Sequence, residues 1–233
     1  MQAAPDPRHR VQLWLTATFV TCLLVADISG SKFFTLDLFQ VGSYHFVTHS
    51  VGMLAFPVVF LITDLVNEYY GRKEARRMTW LGAAMGVLAT LLLLAARRLP
   101  AAADSPIPQP QFDAVFGQSN RLYLASLTAF VVGQMCDIWV FGRIKSWTGG
   151  RYVWLRATGS TVVSQALDSF LVTFVLLYGT GQAGGGTWTL RDVIATAATG
   201  YTLKFLIALG LTPFIYLGRW FLRARLGLQP LPA

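Results

Sequence analysis

The stretch SVGMLAFPVVFLITDLVNEY, residues 50–69, holds twenty residues, of which only Asp64 and Glu68 are charged. A helix of that length is about 30 Å long, which matches the hydrocarbon core of a bilayer. Five other stretches have the same character and lie at residues 11–31, 78–96, 121–142, 158–179 and 193–217. We therefore predict an all-α, polytopic membrane protein with six transmembrane helices, which together make residues 1–233 a single membrane domain.

The composition of the chain favours a membrane protein over the soluble classes. Charged residues make up 13% of the 233 residues and hydrophobic residues 54%, whereas a soluble domain usually carries about 25% charged residues. The mean hydropathy of +0.51 points the same way. Soluble α/β enzymes, disordered chains and collagen-like chains are thereby excluded. No small-residue cleavage site follows Val25, so we expect the first helix to be retained rather than removed as a signal peptide.

The basic residues predict the orientation of the helices. With six spans both termini lie on one side, and 13 of the 19 Lys and Arg residues fall there, against five on the other side and Lys204 inside the sixth span. Cytoplasmic loops of membrane proteins are enriched in Lys and Arg. We therefore predict that both termini are cytoplasmic, and we ascribe the net charge of +8 to these loops rather than to a nucleic-acid partner.

Two longer connections lie on the opposite side. Residues 32–49 alternate apolar and polar side chains around Gly42 and Ser43, a pattern that predicts a small hairpin or an interfacial segment. Residues 99–120 contain four prolines, and for them we predict an extended surface loop.

A charged side chain in the hydrocarbon core is costly and usually functional. Lys204 comes about twelve residues after the sixth helix begins, which places it about 18 Å into the bilayer. Asp168 lies equally deep in the fifth helix, which enters the bilayer from the opposite side. We therefore predict an ion pair between Asp168 and Lys204. The pair could pin two helices together or face a substrate. We favour the substrate because Gln165 stands one turn before Asp168 on the same helix face.

Two other helices carry polar residues inside their spans. The fourth helix repeats the Gln-x-x-Asp spacing with Gln134 and Asp137, and such pairs suit a ligand with adjacent N–H and C=O groups. In the second helix Asp64 is deep and follows Pro57, which can kink the helix and open a cavity. Asp27, near the outer end of the first helix, is a residue of the pathway mouth at most.

Secondary candidates have competing structural explanations. Asn67 and Glu68 share the helix face of Asp64, but Glu68 can instead pair with the basic run Arg72–Arg77. Phe56 and Phe170 can stack on a planar ligand, although packing is the commoner role of such residues. We expect neither catalysis nor a cofactor or metal, because the sequence has no ATP-binding motif, no His-Glu-x-x-His and no Gly-x-Ser-x-Gly.

Four blocks of the sequence resemble the queuosine precursor transporter family, also called vitamin uptake transporter-like. They are FPVVFLITDLVNEYYGRKEAR (56–76), GQMCDIWVFGRIK (133–145), GSTVVSQALDSF (159–170) and KFLIALGLTPFIY (204–216). The family consists of six-helix proteins of the bacterial inner membrane. They are implicated in uptake of 7-deazapurines such as 7-cyano-7-deazaguanine and 7-aminomethyl-7-deazaguanine, precursors of the queuosine of tRNA.

The resemblance implies a set of substrate-binding residues. Carried over block by block, the family's polar positions fall on Asp64, Gln134, Asp137, Gln165, Asp168 and Lys204. At the end of the first helix, where an Asn is common in the family, this chain has Asp27 followed by Ile-Ser-Gly-Ser, which puts a binding role of that helix in doubt. A deazaguanine offers N–H and NH2 donors beside a carbonyl, so a carboxylate can accept from the donors while Gln or Lys donates to the carbonyl.

Two mechanisms agree with these observations. The first is a carrier that moves the base by itself through alternating access at the midplane of the bilayer. The second is a substrate-binding membrane subunit of a multi-component, ATP-driven vitamin-type importer. The expected partners are the small-molecule 7-deazapurine and the lipid bilayer, without nucleic acid, and assembly into a homo-oligomer is left open.

Overall fold

The structure is a computed structural model that describes residues 6–34, 49–117, 120–181 and 187–232. The described residues form the α-helices α1 (Pro7–Ser29), α2 (Phe56–Tyr69), α3 (Arg72–Arg97), α4 (Gln109–Phe116), α5 (Asn120–Trp147), α6 (Val153–Leu177) and α7 (Leu190–Leu226). A short 3-10 helix, Val51–Leu54, leads into α2. Within this part of the chain, six segments are long and apolar enough to cross a membrane, namely α1, α3, α5, α6, α7 and the 3-10 helix with α2. The prediction of six spans is therefore confirmed.

Capping residues define the start of α1 and both ends of α7, and these helix ends lie beyond the apolar stretches. Asp6 caps α1 by accepting a hydrogen bond from the Arg8 backbone N–H at 3.0 Å, and Pro7 occupies the first turn, where no N–H partner is needed. Helix α7 begins with a capping box between Thr189 and Asp192 and ends at Gly227, whose φ of +64° favours glycine. Its 37 residues make it about 55 Å long, well beyond the thickness of the hydrocarbon core.

The prediction of an extended loop over residues 99–120 is wrong in its second half, which forms α4. Pro108 and Pro110 lie at the start of this helix, where proline is tolerated and its fixed φ favours the helical turn. Asp113 accepts a hydrogen bond at 2.8 Å from the Arg97 side chain at the end of α3. That bond, together with one from Gln109, lowers the pKa of the Asp113 carboxyl below its ordinary value. The prolines therefore start a docked helix instead of preventing one.

The connection between α1 and α2 starts and ends as a pair of strands. Strand β1 (Phe33–Phe34) pairs antiparallel with β2 (His49–Ser50), with Phe33 opposite Ser50. The tip of the predicted hairpin or interfacial segment, residues 35–48, lies outside the described residues. The paired ends bring the 3-10 helix against the end of α1, where the Gly52 backbone lies so close to Ala26 that a Cβ atom at Gly52 would be 2.4 Å from the Ala26 carbonyl oxygen.

Two apolar clusters hold the helices together. The first joins α1, α2, α3 and α5 through Phe19, Val59, Met78 and Ile138 among others. The second lies at the other side of α2 and contains Leu65, Tyr69, Phe141, Ala157, Ile215, Leu222 and Leu228. Helices α5 and α6 pack along their length, and α7 packs on α6 and α2. The polar faces of α2, α5, α6 and α7 therefore meet inside the bundle.

Candidate functional site

The ion pair predicted between the fifth and sixth spans is present. The Lys204 Nζ of α7 lies 2.5 Å from the Asp168 Oδ2 of α6. Their side chains keep 21% and 19% of their surface exposed, so the pair is partly buried rather than sealed in the core. Gly133 of α5 lies beside Asp168, because a Cβ atom there would be 3.6 Å from the Asp168 Cβ. The small residue allows α5 to approach the helix that carries the acid.

Lys204 and Gln165 also line a small cavity between α2, α6 and α7, here called the Lys204 cavity. Its volume is about 20 Å³, and its other walls are Met53, Phe56, Pro57, Phe60, Thr161, Ile207, Ala208 and Leu211. Phe56 and Phe60 stand with ring centroids 6.4 Å apart. Of the two aromatic candidates, Phe56 therefore reaches the cavity, whereas Phe170 is 39% exposed on the outside of the bundle.

A second cavity of about 10 Å³ lies next to the first and contains Asp64, and we call it the Asp64 cavity. The two cavities share the side chains of Phe60, Thr161, Ala208 and Leu211. Beyond this shared wall a hydrogen bond of 2.8 Å between Thr158 and Thr212 joins α6 to α7. A line of small polar and apolar side chains thus leads from Lys204 to Asp64 along the interface between α2, α6 and α7.

Gln134 and Asp137 lie deeper, between α5 and its neighbours, with 1% and 0% of their surface exposed. The Thr63 hydroxyl of α2 donates to the Gln134 Oε1 at 3.1 Å. The Ser164 hydroxyl of α6 donates to the Asp137 Oδ1 at 3.1 Å. The Asp137 carboxylate also interacts electrostatically with Asp64 across the α2–α5 interface. The repeated Gln-x-x-Asp motif therefore has two different environments, since Gln165 borders a cavity and Gln134 is enclosed by helices.

Several polar atoms of this region lack a hydrogen-bond partner among the described residues. They are the Asp64 Oδ1, the Asp137 Oδ2, the Gln134 Nε2 and the Ser169 Oγ, all of them buried. A buried polar atom without a partner costs roughly 1 to 3 kcal/mol. Buried polar atoms without a partner are rare in folded proteins, so each of these four calls for an explanation.

The sequence suggested that Glu68 pairs with the run Arg72–Arg77. In the structure its carboxylate has other partners. It lies among three cations from three other helices: the Arg156 Nη2 at 2.6 Å, the Lys145 Nζ at 3.1 Å and the Arg219 Nη2 at 3.7 Å. We call these four residues the basic-end cluster. Sequence reasoning used the three cations only to orient the helices. Lys145 and Arg219 lie near the ends of α5 and α7, and Arg156 lies near the start of α6. Because consecutive spans run in opposite directions, these positions indicate that the three cations lie at the same end of the bundle.

The end of the chain folds over the basic-end cluster. The Leu231 backbone N–H donates to the Glu68 carbonyl at 3.0 Å, and the Lys145 Nζ donates to the Leu231 carbonyl at 2.9 Å. Nearby, the Asn67 side chain donates to the Ile138 carbonyl at 3.3 Å, which ties α2 to α5. These contacts give Asn67 and Glu68 structural partners and close this end of the bundle between the helices.

Asp27 lies apart from these residues. It lines a separate cavity of about 60 Å³ between α1, α3, α4 and α5, together with Gly86, Tyr123 and Ser126 among others. The Ser126 hydroxyl donates to the Asp27 Oδ1 at 3.3 Å. The structure therefore does not bring Asp27 to the Lys204 and Asp64 cavities.

Comparison with known proteins gives one family and one recurring description. Residues 50–218 match the protein family described as "Putative vitamin uptake transporter". A Bacillus subtilis (strain 168) protein named "Probable queuosine precursor transporter" is 35% identical over 184 residues, which cover 78% of this chain and 74% of the relative. The "Queuosine precursor transporter" of Escherichia coli (strain K12) is 26% identical over 162 residues, 68% of this chain and 66% of the relative. No solved structure matches the chain.

Proposed function

Because this chain belongs to the vitamin uptake transporter family, we propose that it takes up queuosine precursors across the bacterial inner membrane. It is a multi-pass transporter rather than an enzyme. The observation that carries the proposal is the ion pair of Asp168 and Lys204 near Gln165, at a small cavity between three membrane-spanning helices. Charged side chains at membrane depth cost free energy, and binding of a polar substrate is a function that accounts for their presence.

Asp168, Lys204 and Gln165 are the proposed contacts to the base. In the closed protein Asp168 and Lys204 neutralise each other. A 7-deazaguanine that enters between them would offer its N–H and NH2 donors to the carboxylate and its carbonyl to the ammonium or to the Gln165 amide. A base without these groups would leave buried partners unmatched, at about 1 to 3 kcal/mol for each one. The pair thus selects for the substrate edge that offers donors and an acceptor side by side.

The remaining candidates would contribute as the cavity enlarges. Asp64 lines the cavity that adjoins the Lys204 cavity, Gln134 and Asp137 are buried between α5 and its neighbours, and Phe56 offers a ring on which a planar base can stack. Phe170, Asn67 and Glu68 have exposed or structural positions and stay secondary candidates. A homo-oligomer is compatible with the proposal but is not needed for it, because all proposed contacts come from one chain.

The volume of the Lys204 cavity supports transport by alternating access. About 20 Å³ is space for a water molecule, whereas pockets for small organic ligands usually measure about 300 to 1,000 Å³. A base can therefore enter only when α7 separates from α2 and α6, and the described conformation is a closed one. Carriers that rock one group of helices against another around a central site pass through such a state.

The direct test is uptake of radiolabelled 7-cyano-7-deazaguanine into proteoliposomes that contain only this protein. We expect saturable uptake. Unlabelled precursor should inhibit this uptake, and adenine should not. Lys204→Met and Asp168→Asn should abolish it, whereas Asp113→Asn, the same replacement in the exposed pair with Arg97, should leave it intact. Binding without uptake would instead favour a substrate-binding subunit that needs an ATP-driven partner.

A charge exchange separates substrate contact from helix pinning. In the double variant Asp168→Lys with Lys204→Asp the ion pair can form again, so folding should recover. If the pair contacts the base, uptake should stay lost, because a donor would then face the donors of the base. Full recovery of uptake in the double variant would show that the pair only joins α6 to α7.

A further inference from the structure

Two carboxylates inside the bundle have features that contact with the base does not explain. Asp64 of α2 is 4% exposed and Asp137 of α5 is 0% exposed, and the two interact across the interface of their helices. Each has one oxygen without a hydrogen-bond partner within the described residues. Two neighbouring carboxylates removed from water resist being ionised together.

The charged groups around the pair do not neutralise both acids. On α2 Glu68 adds a third negative charge, and on α6 Arg156 acts on Asp64 but is held by Glu68 at 2.6 Å. Lys145 of α5 and Arg219 of α7 also pair with Glu68.

The other two helices packed on α2 bring their charges elsewhere. Asp27 of α1 accepts from Ser126, and Arg72 of α3 lies against Gly142, beyond Asp137 along α5. Among the described residues of α6, the neighbours that act on Asp137 are hydroxyl groups, namely those of Ser160, Thr161 and Ser164.

We propose that Asp64 and Asp137 hold one exchangeable proton between them, and that movement of this proton drives transport of the base. The inference rests on the proposed transport function and adds its energy source. The step is a simple proton transfer: a carboxylate oxygen gains a proton from water on one side of the membrane and releases it to water on the other. The transmembrane proton gradient supplies the free energy.

The geometry gives the two acids different parts in this cycle. Asp64 lines a cavity that adjoins the Lys204 cavity, so water that enters with the base can reach it. Asp137 lies behind it and is held by the Ser164 hydroxyl at 3.1 Å. Gln134, one turn before Asp137 on α5, is 1% exposed and its Nε2 has no partner in the described part of the chain. Its amide can donate to whichever carboxylate oxygen is left ionised.

Asp64 also links the proton to the closed end of the bundle. It interacts with Arg156, the cation that lies closest to Glu68 in the basic-end cluster. When Asp64 gains a proton, Arg156 loses one of its two anionic neighbours, and the balance of charge at the basic-end cluster changes. Protonation and opening of that end are thereby connected through a single guanidinium group.

The test uses the purified full chain in proteoliposomes that contain a pH-sensitive dye, with 7-cyano-7-deazaguanine as the probe. In wild type, an inward proton gradient should concentrate the base, and addition of base without a gradient should move protons with it. Asp64→Asn and Asp137→Asn should each abolish gradient-driven accumulation, and any exchange of labelled for unlabelled base that they retain should proceed without proton movement. Asp113→Asn is the control with the same chemical change outside the pair.

The outcomes separate the two proposals. If wild type neither binds nor exchanges the base, the proposed function itself fails. If wild type transports the base without proton movement, or only with a sodium gradient, transport stands and the proton inference is overturned. Accumulation by Asp137→Asn that equals wild type also overturns it. Should both Asn variants fail to fold, the dye signal of wild type still decides whether a proton moves with the base, and its absence overturns the inference.

Discussion

Replacing Glu68 by Gln removes the anion that three cations share. Arg156 has 1% of its side chain exposed and Lys145 has 10%, so both would keep buried charges without a carboxylate. Breaking a buried ion pair by removing one partner costs about 3 to 5 kcal/mol. The low end applies here, because Arg156 also donates to the Gly150 carbonyl at 2.8 Å and Lys145 donates to the Leu231 carbonyl at 2.9 Å. We therefore expect a loss of about 3 kcal/mol.

The measurement is the apparent Tm of the purified protein in one detergent at one heating rate. A loss of 3 kcal/mol corresponds to a decrease of roughly 6 to 12 °C for a chain of this size. The matched control is Glu74→Gln, since Glu74 forms a pair of 3.7 Å with Arg77, whose side chain is 82% exposed. That pair should contribute at most about 1 kcal/mol. Equal melting of the two variants would refute the view that Glu68 holds α5, α6 and α7 at the basic end.

Three further predictions concern topology, packing and pH. A reporter that works only in the cytoplasm should be active when it is fused after Ala233, because the 13 to 5 distribution of basic residues places the C-terminus there. Activity of a reporter that works only in the periplasm would contradict this orientation. Gly52→Ala should lower the apparent Tm because its Cβ would lie 2.4 Å from the Ala26 carbonyl oxygen, whereas Gly200→Ala, with open space around it, should raise the Tm slightly by favouring the helix. The lowered pKa of Asp113 means that its bond to Arg97 favours docking of α4 above the ordinary carboxyl pKa. As the pH falls through the lowered value this contribution is lost, so the protection of α4 amides from hydrogen exchange, relative to the intrinsic exchange rate at each pH, should decrease. Asp113→Asn should remove this change in protection.

The features that sequence reasoning predicted correctly depend on one dimension, the distance along a helix. Six apolar stretches of about twenty residues each give six spans because the bilayer sets the length. Asp168 and Lys204 were paired because two opposite charges reach the same depth on consecutive helices. Neither inference needs to know which helix faces which. The sequence therefore predicts this ion pair, and the contact of 2.5 Å between Lys204 and Asp168 confirms it.

The features that sequence reasoning missed depend on how helices are arranged around one another. The sequence favours pairing of Glu68 with Arg72–Arg77, which lie nearby in the chain, yet its partners come from α5, α6 and α7. The turn at Gly71, with a φ of +87°, starts α3 directly after α2 and leaves the Glu68 side chain inside the bundle. The prolines of α4 led to the wrong prediction of a loop because the effect of proline depends on its position. Proline disrupts a helix when it lies in the interior, but it favours the first turn.

The two Gln-x-x-Asp motifs show what spacing alone can decide. A separation of three residues places an amide and a carboxylate on one helix face in both α5 and α6. The neighbours of that face determine its chemistry. Helix α7 packs on α6 and brings Lys204 to Asp168, so this acid has a cation as its partner, and that cation lines a small cavity. Helix α5 packs between α2 and α6, so Asp137 meets a hydroxyl and a second acid instead. Two identical motifs thereby acquire different proposed roles, one in recognising the base and one in carrying the proton that moves it.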